Sequence, residues 1–205
     1  MKEREFSPAL ACIINRHSKR GIVHVGANIG QERYCYRQCN RNVLWFEPDY
    51  TVFKQLVKNI EPYPEQVAIN DLILDTVDEV RFNISAQSCR SSAFDFKGHF
   101  KESTFKDLGH TLMIPKRLDY FDLTGYDCLC VDAQGGDLSV IKSLGDKLSA
   151  FNLIKAEVFT TNMYKDAPME SDMNSYMKSK NFKLVQKFEM VHKSHDNIYV
   201  PYYNA

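Results

Sequence analysis

The chain has 205 residues, 44% of them hydrophobic, with 26 basic side chains against 26 acidic ones. That length supports one large domain with a core of its own, without disulfide staples, and the zero net charge argues against broad binding to nucleic acid or an anionic membrane, which needs basic excess or basic patches. The longest basic run is "HSKR" (17–20), no stretch approaches the ~18 apolar residues of a membrane span, and the charged opening "MKEREFSPAL" has no secretory apolar region, so a cytoplasmic, soluble protein is expected.

Ser7 and Pro8 read as the N-cap and first residue of a helix over 7–19, with Leu10, Ile13, Ile14 and His17 on one face. "GIVHVGA" (21–27) is a short strand and "GQERYCYRQCN" (30–40) a helix. "NVLWFEP" (42–48) is a second strand, closed by Pro48. "DYTVFKQLVKNI" (49–60) is a helix whose Val52, Phe53, Leu56, Val57 and Ile60 form a buried stripe, and "EQVAIN" (65–70) is a third strand. This β-α-β-α-β alternation predicts a parallel sheet flanked by helices.

The middle is less regular. "EVRFNIS" (79–85) alternates like an added strand, residues 86–110 show no sustained period, and 111–121 hold a short strand. The rhythm then resumes with a strand at 126–133, a helix at 136–148, a strand at 151–159, a helix at 168–180, and strands at 182–190 and 195–203. Only "VHKSH" (191–195) separates the last two. A parallel crossover needs a dozen or more residues, so these strands pair as an antiparallel hairpin or lie apart. With no repeat and no linker, the expectation is a single domain over 1–205, its core at 21–203. Cysteines at 12, 35, 39, 89, 128 and 130 form no CxxC. They read as reduced thiols, with no metal site.

The turn after the first strand is Gly26-Ala27-Asn28-Ile29-Gly30. The dinucleotide fingerprint fails, because Asn28 and Gln31 stand where its second and third glycines belong. A phosphate-binding loop of the Gly-Lys-Ser/Thr type is absent too. Gly26 can take positive φ or let a ligand approach, Gly30 lets a helix start close to the strand, and Asn28 tolerates the left-handed region. Glu47 ends the next strand at the carboxyl edge of the sheet, where an acid can accept hydrogen bonds from ribose hydroxyls. A ligand with a ribose and no pyrophosphate suits this pairing.

In order along the chain, "VHVGANIGQERYCY", "VLWFEPDYTVFKQLVKNI", "AINDLILD", "SSAFDF", "LDYFDL", "YDCLCVDAQGGDLSVIKSLGD", "IKAEV" and "DNIYV" resemble the FkbM-type methyltransferase family over about residues 21–200. The resemblance implies a Rossmann-like class I methyltransferase fold: an α/β protein with a mostly parallel seven-stranded sheet, an antiparallel C-terminal hairpin and helices on both faces. It implies S-adenosyl-L-methionine (SAM) as cofactor and transfer to a hydroxyl oxygen of a sugar or small metabolite. Carried over, Gly26, Ala27, Asn28 and Gly30 wrap the methionine part of SAM, Glu47 with Pro48 holds the ribose, and Asn70 and Asp71 lie near the adenine. Asp132 and Gln134 line the meeting point of cofactor and acceptor. His24 stands at a position often acidic in the family and would meet polar parts of SAM. Gln134 stands where many relatives carry Glu.

Methyl transfer needs alignment of the acceptor and, for a hydroxyl, a general base. Asp132, at the end of its strand, is the first candidate, and Glu157, ending the next, the second. Arg90, Ser91, Ser92, Lys97, His99 and Lys116 belong to the irregular segment 86–116, read as a lid or binding loop. His192 and His195 read as polar turn residues. Two other readings stay open: a non-catalytic SAM- or nucleotide-binding module on this scaffold, and an NAD-dependent oxidoreductase.

Overall fold

A computed structural model describes residues 8–96, 106–161, 163–189 and 194–204. In chain order the elements are α1 (Pro8–His17), β1 (Gly21–Val25), α2 (Arg33–Gln38), β2 (Val43–Phe46), α3 (Tyr50–Ile60), β3 (Gln66–Ile69), β4 (Val80–Ser85), β5 (Asp107–Met113), β6 (Tyr126–Val131), α4 (Asp137–Lys142), β7 (Leu153–Phe159), α5 (Glu170–Ser179), β8 (Phe182–Glu189) and β9 (Ser194–Pro201).

Seven strands form one sheet in the order β3-β2-β1-β6-β7-β9-β8. The pairs from β3 to β7 are parallel. The last two strands do form an antiparallel pair, and β9 is the inner one, lying antiparallel to both β7 and β8. Strand order reverses between β1 and β6, the point at which open α/β sheets hold their ligands.

Period-2 alternation divides the core between the two faces of the sheet. Val23, Val25, Phe46, Leu129, Val131, Ile154 and Ala156 pack under α4 and α5 with Leu138, Ile141, Met173 and Met177. Ile22, Val43, Trp45, Cys128, Cys130 and Leu153 pack under α1, α2 and α3 with Leu10, Ile14, Tyr36, Leu56 and Ile60. Four of the six thiols, Cys35, Cys39, Cys128 and Cys130, are buried. Among the described residues, no helix is long and apolar enough to cross a membrane.

The differences from the sequence reading have local causes. The helix expected from Gly30 starts at Arg33, because Gly30 takes φ +73° and donates its amide to Ala27 O, closing a turn. The helix expected over 136–148 stops at Lys142 and resumes as a 3-10 segment over Gly145–Ala150, whose first residue, Gly145, takes φ +53°. Val57 is exposed, so the stripe on α3 narrows to Val52, Leu56 and Ile60. β4 joins β5 in a separate two-stranded antiparallel sheet rather than the main one, and β5 begins inside the stretch that showed no period. His195 belongs to β9 rather than a turn. Ser7, Lys97, His99 and His192 lie outside the described residues.

Candidate active site

The carboxyl ends of β1, β2 and β6 meet at the switch point. Gly26 sits there with φ +81°, and a Cβ on it would lie 1.9 Å from the Asp132 carbonyl oxygen. Two strand ends therefore touch through a residue that must be glycine. The Gly26 and Ala27 amides both donate to Phe46 O. Asn28 takes φ +47° and donates its backbone amide to Glu47 Oε2 at 2.8 Å, and Glu47 Oε1 accepts from the Asp49 amide at 2.9 Å. Glu47 thus joins the glycine loop to the start of α3, whose N-cap is Asp49. Burial raises the Glu47 carboxyl to about 7 against the pull of those two amides. Gly30 serves packing, since a Cβ there would stand 2.7 Å from Leu56 Cδ1 of α3.

A cavity of about 510 Å³ opens over these strand ends. One wall is the loop, with Gly26, Asn28, Ile29, Gln31, Glu32 and Arg33. Glu47, Pro48, Asn59 and Asp71–Leu74 form another; Phe82, Ser88, Cys89, Ser91 and Ala93 cover it; Asp132, Ala133 and Gln134 close the β6 side. The segment after β4 is tied to the loop by Ser88 Oγ donating to Asn28 Oδ1 at 3.1 Å.

Of the twelve residues read from sequence as cofactor-binding or catalytic, seven line this one cavity: Gly26, Asn28, Glu47, Pro48, Asp71, Asp132 and Gln134; Ser91, named with the irregular segment, lines it too. Five do not line it. Ala27 is buried in the core under α2. Gly30 contacts α3 as described. Asn70 braces the site from behind, donating to Glu47 O at 2.8 Å and Pro48 O at 3.0 Å. His24 points to the α2 side of the sheet, its Nδ1 2.8 Å from Tyr36 Oη and its ring 4.8 Å from that of Trp45. Burial first, and then the Lys155 charge, hold it near 3, so it is a neutral core histidine. Glu157 lies one side chain beyond the cavity, behind Gln134.

Gln134 is the junction. Its backbone takes φ +49°, and its Nε2 donates to Asp132 Oδ1 at 2.6 Å and to Glu157 Oε2 at 2.7 Å. Its Oε1 accepts from Tyr164 Oη at 2.6 Å, and its backbone carbonyl from Ser92 Oγ at 2.7 Å. Only an amide can donate to two acids and accept from a phenol in this way. Below it, Asp137 accepts from the Ala133 and Glu157 amides, and Lys155 pairs with Asp196 at 2.8 Å. Burial and then Asp132 push the Asp137 carboxyl up to about 8, and burial followed by Asp132 and Asp137 pushes Glu157 well above its ordinary value.

Tyr164, Asp137, Lys155, Glu32 and Asn59 were not singled out from sequence, whereas Ser92 was named within the irregular segment. Lys155 had a signal, a lone lysine inside the apolar run "FNLIKAEVF". Tyr164 had none, because its loop has no period.

Comparison with known proteins decides the family. The family model for the methyltransferase FkbM domain matches residues 24–184. The chain belongs to the FkbM methyltransferase family. No curated protein gives a significant match. Solved structures do match this FkbM chain. The magnesium protoporphyrin IX methyltransferase of Synechocystis PCC 6803 with bound SAM aligns at TM-score 0.53 and 8% identity, over 94% of this chain and 75% of that one. The CcbJ methyltransferase of Streptomyces caelestis aligns at 0.52 and 8%, over 94% and 87%. Aeropyrum pernix fibrillarin with natively bound SAM aligns at 0.50 and 9%, over 95% and 74%. At such identities the likeness establishes the Rossmann-like methyltransferase fold that the strand order displays.

Proposed function

We propose that this FkbM family member transfers a methyl group from SAM to a hydroxyl oxygen of a sugar or other small metabolite. The observation that carries the reading is the cavity at the β1–β6 switch point, with Glu47 on one wall and the Asp132–Gln134–Glu157 junction on the other. Its volume of about 510 Å³ lies in the range of small-molecule sites. The residues fit the cofactor. Each Glu47 oxygen accepts a single backbone amide, which leaves lone pairs for two ribose hydroxyls. Leu72, Leu74, Phe82 and Ala93 supply apolar walls for a flat base. When bound, SAM supplies a methyl group on a cationic sulfur.

The chain contributes orientation and proton handling. The positive-φ loop and the Glu47 bridge set the shape of the donor side before any ligand arrives. Asp132, open to the cavity, anchors the acceptor hydroxyl and takes its proton. Glu157 is coupled to it through the Gln134 amide, so a proton gained at one carboxyl is felt at the other. The segment over 88–93 covers the cavity, which limits water around the transferring group.

The test is calorimetric titration with S-adenosylhomocysteine, with NAD as control, on wild type and Glu47→Ala. Binding of the first alone, weakened by roughly 10-fold or more in the variant as expected for lost hydrogen bonds to a charged group, supports the reading. Uptake of NAD alone overturns it. Wild type that binds S-adenosylhomocysteine would then be offered hydroxylated acceptors with labelled SAM, and label found only on amine acceptors removes the O-methyl assignment.

A further inference from the structure

Among the described residues, four carboxylates line the cavity: Glu32, Glu47, Asp71 and Asp132. Three are engaged. Glu47 accepts two backbone amides, Asp71 pairs with Lys116 Nζ at 2.9 Å, and Asp132 accepts the Gln134 amide. Glu32 differs. Among the described residues its carboxylate meets only its own backbone N–H, and Lys155, whose charge reaches it, is already bonded to Asp196. It sits in the turn that leads from the glycine loop into α2, on the same wall as Gly26 and Asn28. Burial leaves its carboxyl near 7. A half-buried acid on a cavity wall, with no side-chain partner among the described residues, is costly unless a ligand brings the missing cation.

The methyl donor carries such a cation, the ammonium of its amino-acid end. We propose that Glu32 is the residue that binds this ammonium and thereby fixes the amino-acid arm of the donor against the glycine loop. The assignment rests on the SAM reading above. It gives the donor site two separate acids: Glu47 for the ribose and Glu32 for the ammonium. Asp132, held by Gln134 on the opposite wall, stays with the acceptor.

Two nucleosides isolate the contact. S-adenosylhomocysteine has the amino-acid arm, and 5′-methylthioadenosine has the same adenosine and thioether sulfur without it. Glu32→Gln keeps the shape and removes the charge. It is expected to weaken S-adenosylhomocysteine by roughly 10- to 100-fold while 5′-methylthioadenosine changes by less than about twofold, the scale of one charge-assisted hydrogen bond. Glu32→Asp is expected to restore part of the preference. Neither variant should melt below wild type at pH 7, and Glu32→Gln should melt slightly higher, because it removes a buried charge that bonds to no other side chain among the described residues. Equal loss for both nucleosides, or no loss for either, overturns the Glu32 assignment while wild-type binding leaves the SAM reading standing. Wild type that takes up neither nucleoside overturns the SAM reading, and the Glu32 assignment falls with it.

Discussion

A single amide orders the chemistry on the β6 side of the cavity. Gln134 donates to both Asp132 and Glu157 while Tyr164 holds its oxygen, so the side chain has one orientation that satisfies all three neighbours. Gln134→Met keeps the volume and removes the donor. A hydrogen bond to an ionised carboxylate favours the ionised form, so loss of the Gln134 amide raises the already raised folded pKa of Asp132 further. A carboxyl with a raised folded value weakens the fold as pH climbs through that value and not below the unfolded one. The variant is therefore expected to lose about 1.5 to 3 kcal/mol at pH 8 and less at pH 5. Urea unfolding at the two pH values measures this, and an equal loss at both would mean that only packing changed. At this scale sequence reading goes as far as strand ends. Glu47 and Asp132 were legible because each terminates an apolar run. His24 shows the limit: its residue type was clear, but alternation along β1 turns it to the α2 side, where it meets Tyr36 and Trp45 rather than the cavity.

Elements are joined by buried acids as well as by apolar stripes. Asp127, at the start of β6 and 1% exposed, accepts from Ser18 Oγ at 2.6 Å, the Lys19 and Arg20 amides at 3.0 and 3.1 Å, and Asn152 Nδ2 at 2.9 Å. It pins the end of α1 and the approach to β7 to the amino edge of the sheet, opposite the cavity. Burial alone would raise its carboxyl, but the Ser18 hydroxyl, the Lys19 amide, Asn152 and the Arg20 amide outweigh that and hold it below its ordinary value. Its contribution is thus complete above the unfolded value of about 4 and disappears as pH falls through the lower folded value. Asp127→Ala is expected to cost about 2 to 4 kcal/mol at pH 7 through the donors left without an acceptor. The gap to wild type should narrow toward pH 2 to 3, roughly the region where both proteins carry no charge at this position; a pH-independent gap in denaturant melts counts against the assignment. The same scale explains which elements could be read. The parallel half of the sheet was legible because its strands are continuous apolar runs between helices of period 3.6. The short reach between β8 and β9 excluded a parallel connection. β5 was hidden because Leu108 and Leu112 face solvent, so its alternation has no polar outer face to mark it.

Over the whole molecule, the cavity gathers chain segments that are far apart in sequence. The loop after β1, the end of β2, the stretch after β3, the cover over 88–93 and the end of β6 all contribute walls. Ser88 bonded to Asn28 on one side and Ser92 bonded to the Gln134 carbonyl on the other tie the cover to the two ends of the cavity. A ligand that touches all five segments binds the folded chain and has no comparable site on the unfolded one, so its binding free energy adds to stability. At 100 times its dissociation constant it contributes about 2.7 kcal/mol. A domain of this size moves by roughly 2 to 4 °C per kcal/mol, which predicts a rise in Tm of about 5 to 10 °C with S-adenosylhomocysteine. NAD at the same concentration should leave Tm unchanged, since the loop lacks the glycines that cradle a pyrophosphate. Thermal unfolding followed by intrinsic tryptophan fluorescence suits the measurement: Trp45 is fully buried beside His24 and Tyr36 under the loop-bearing strand. A shift with Glu47→Ala as large as with wild type would mean that the ligand stabilises the chain from somewhere other than this cavity.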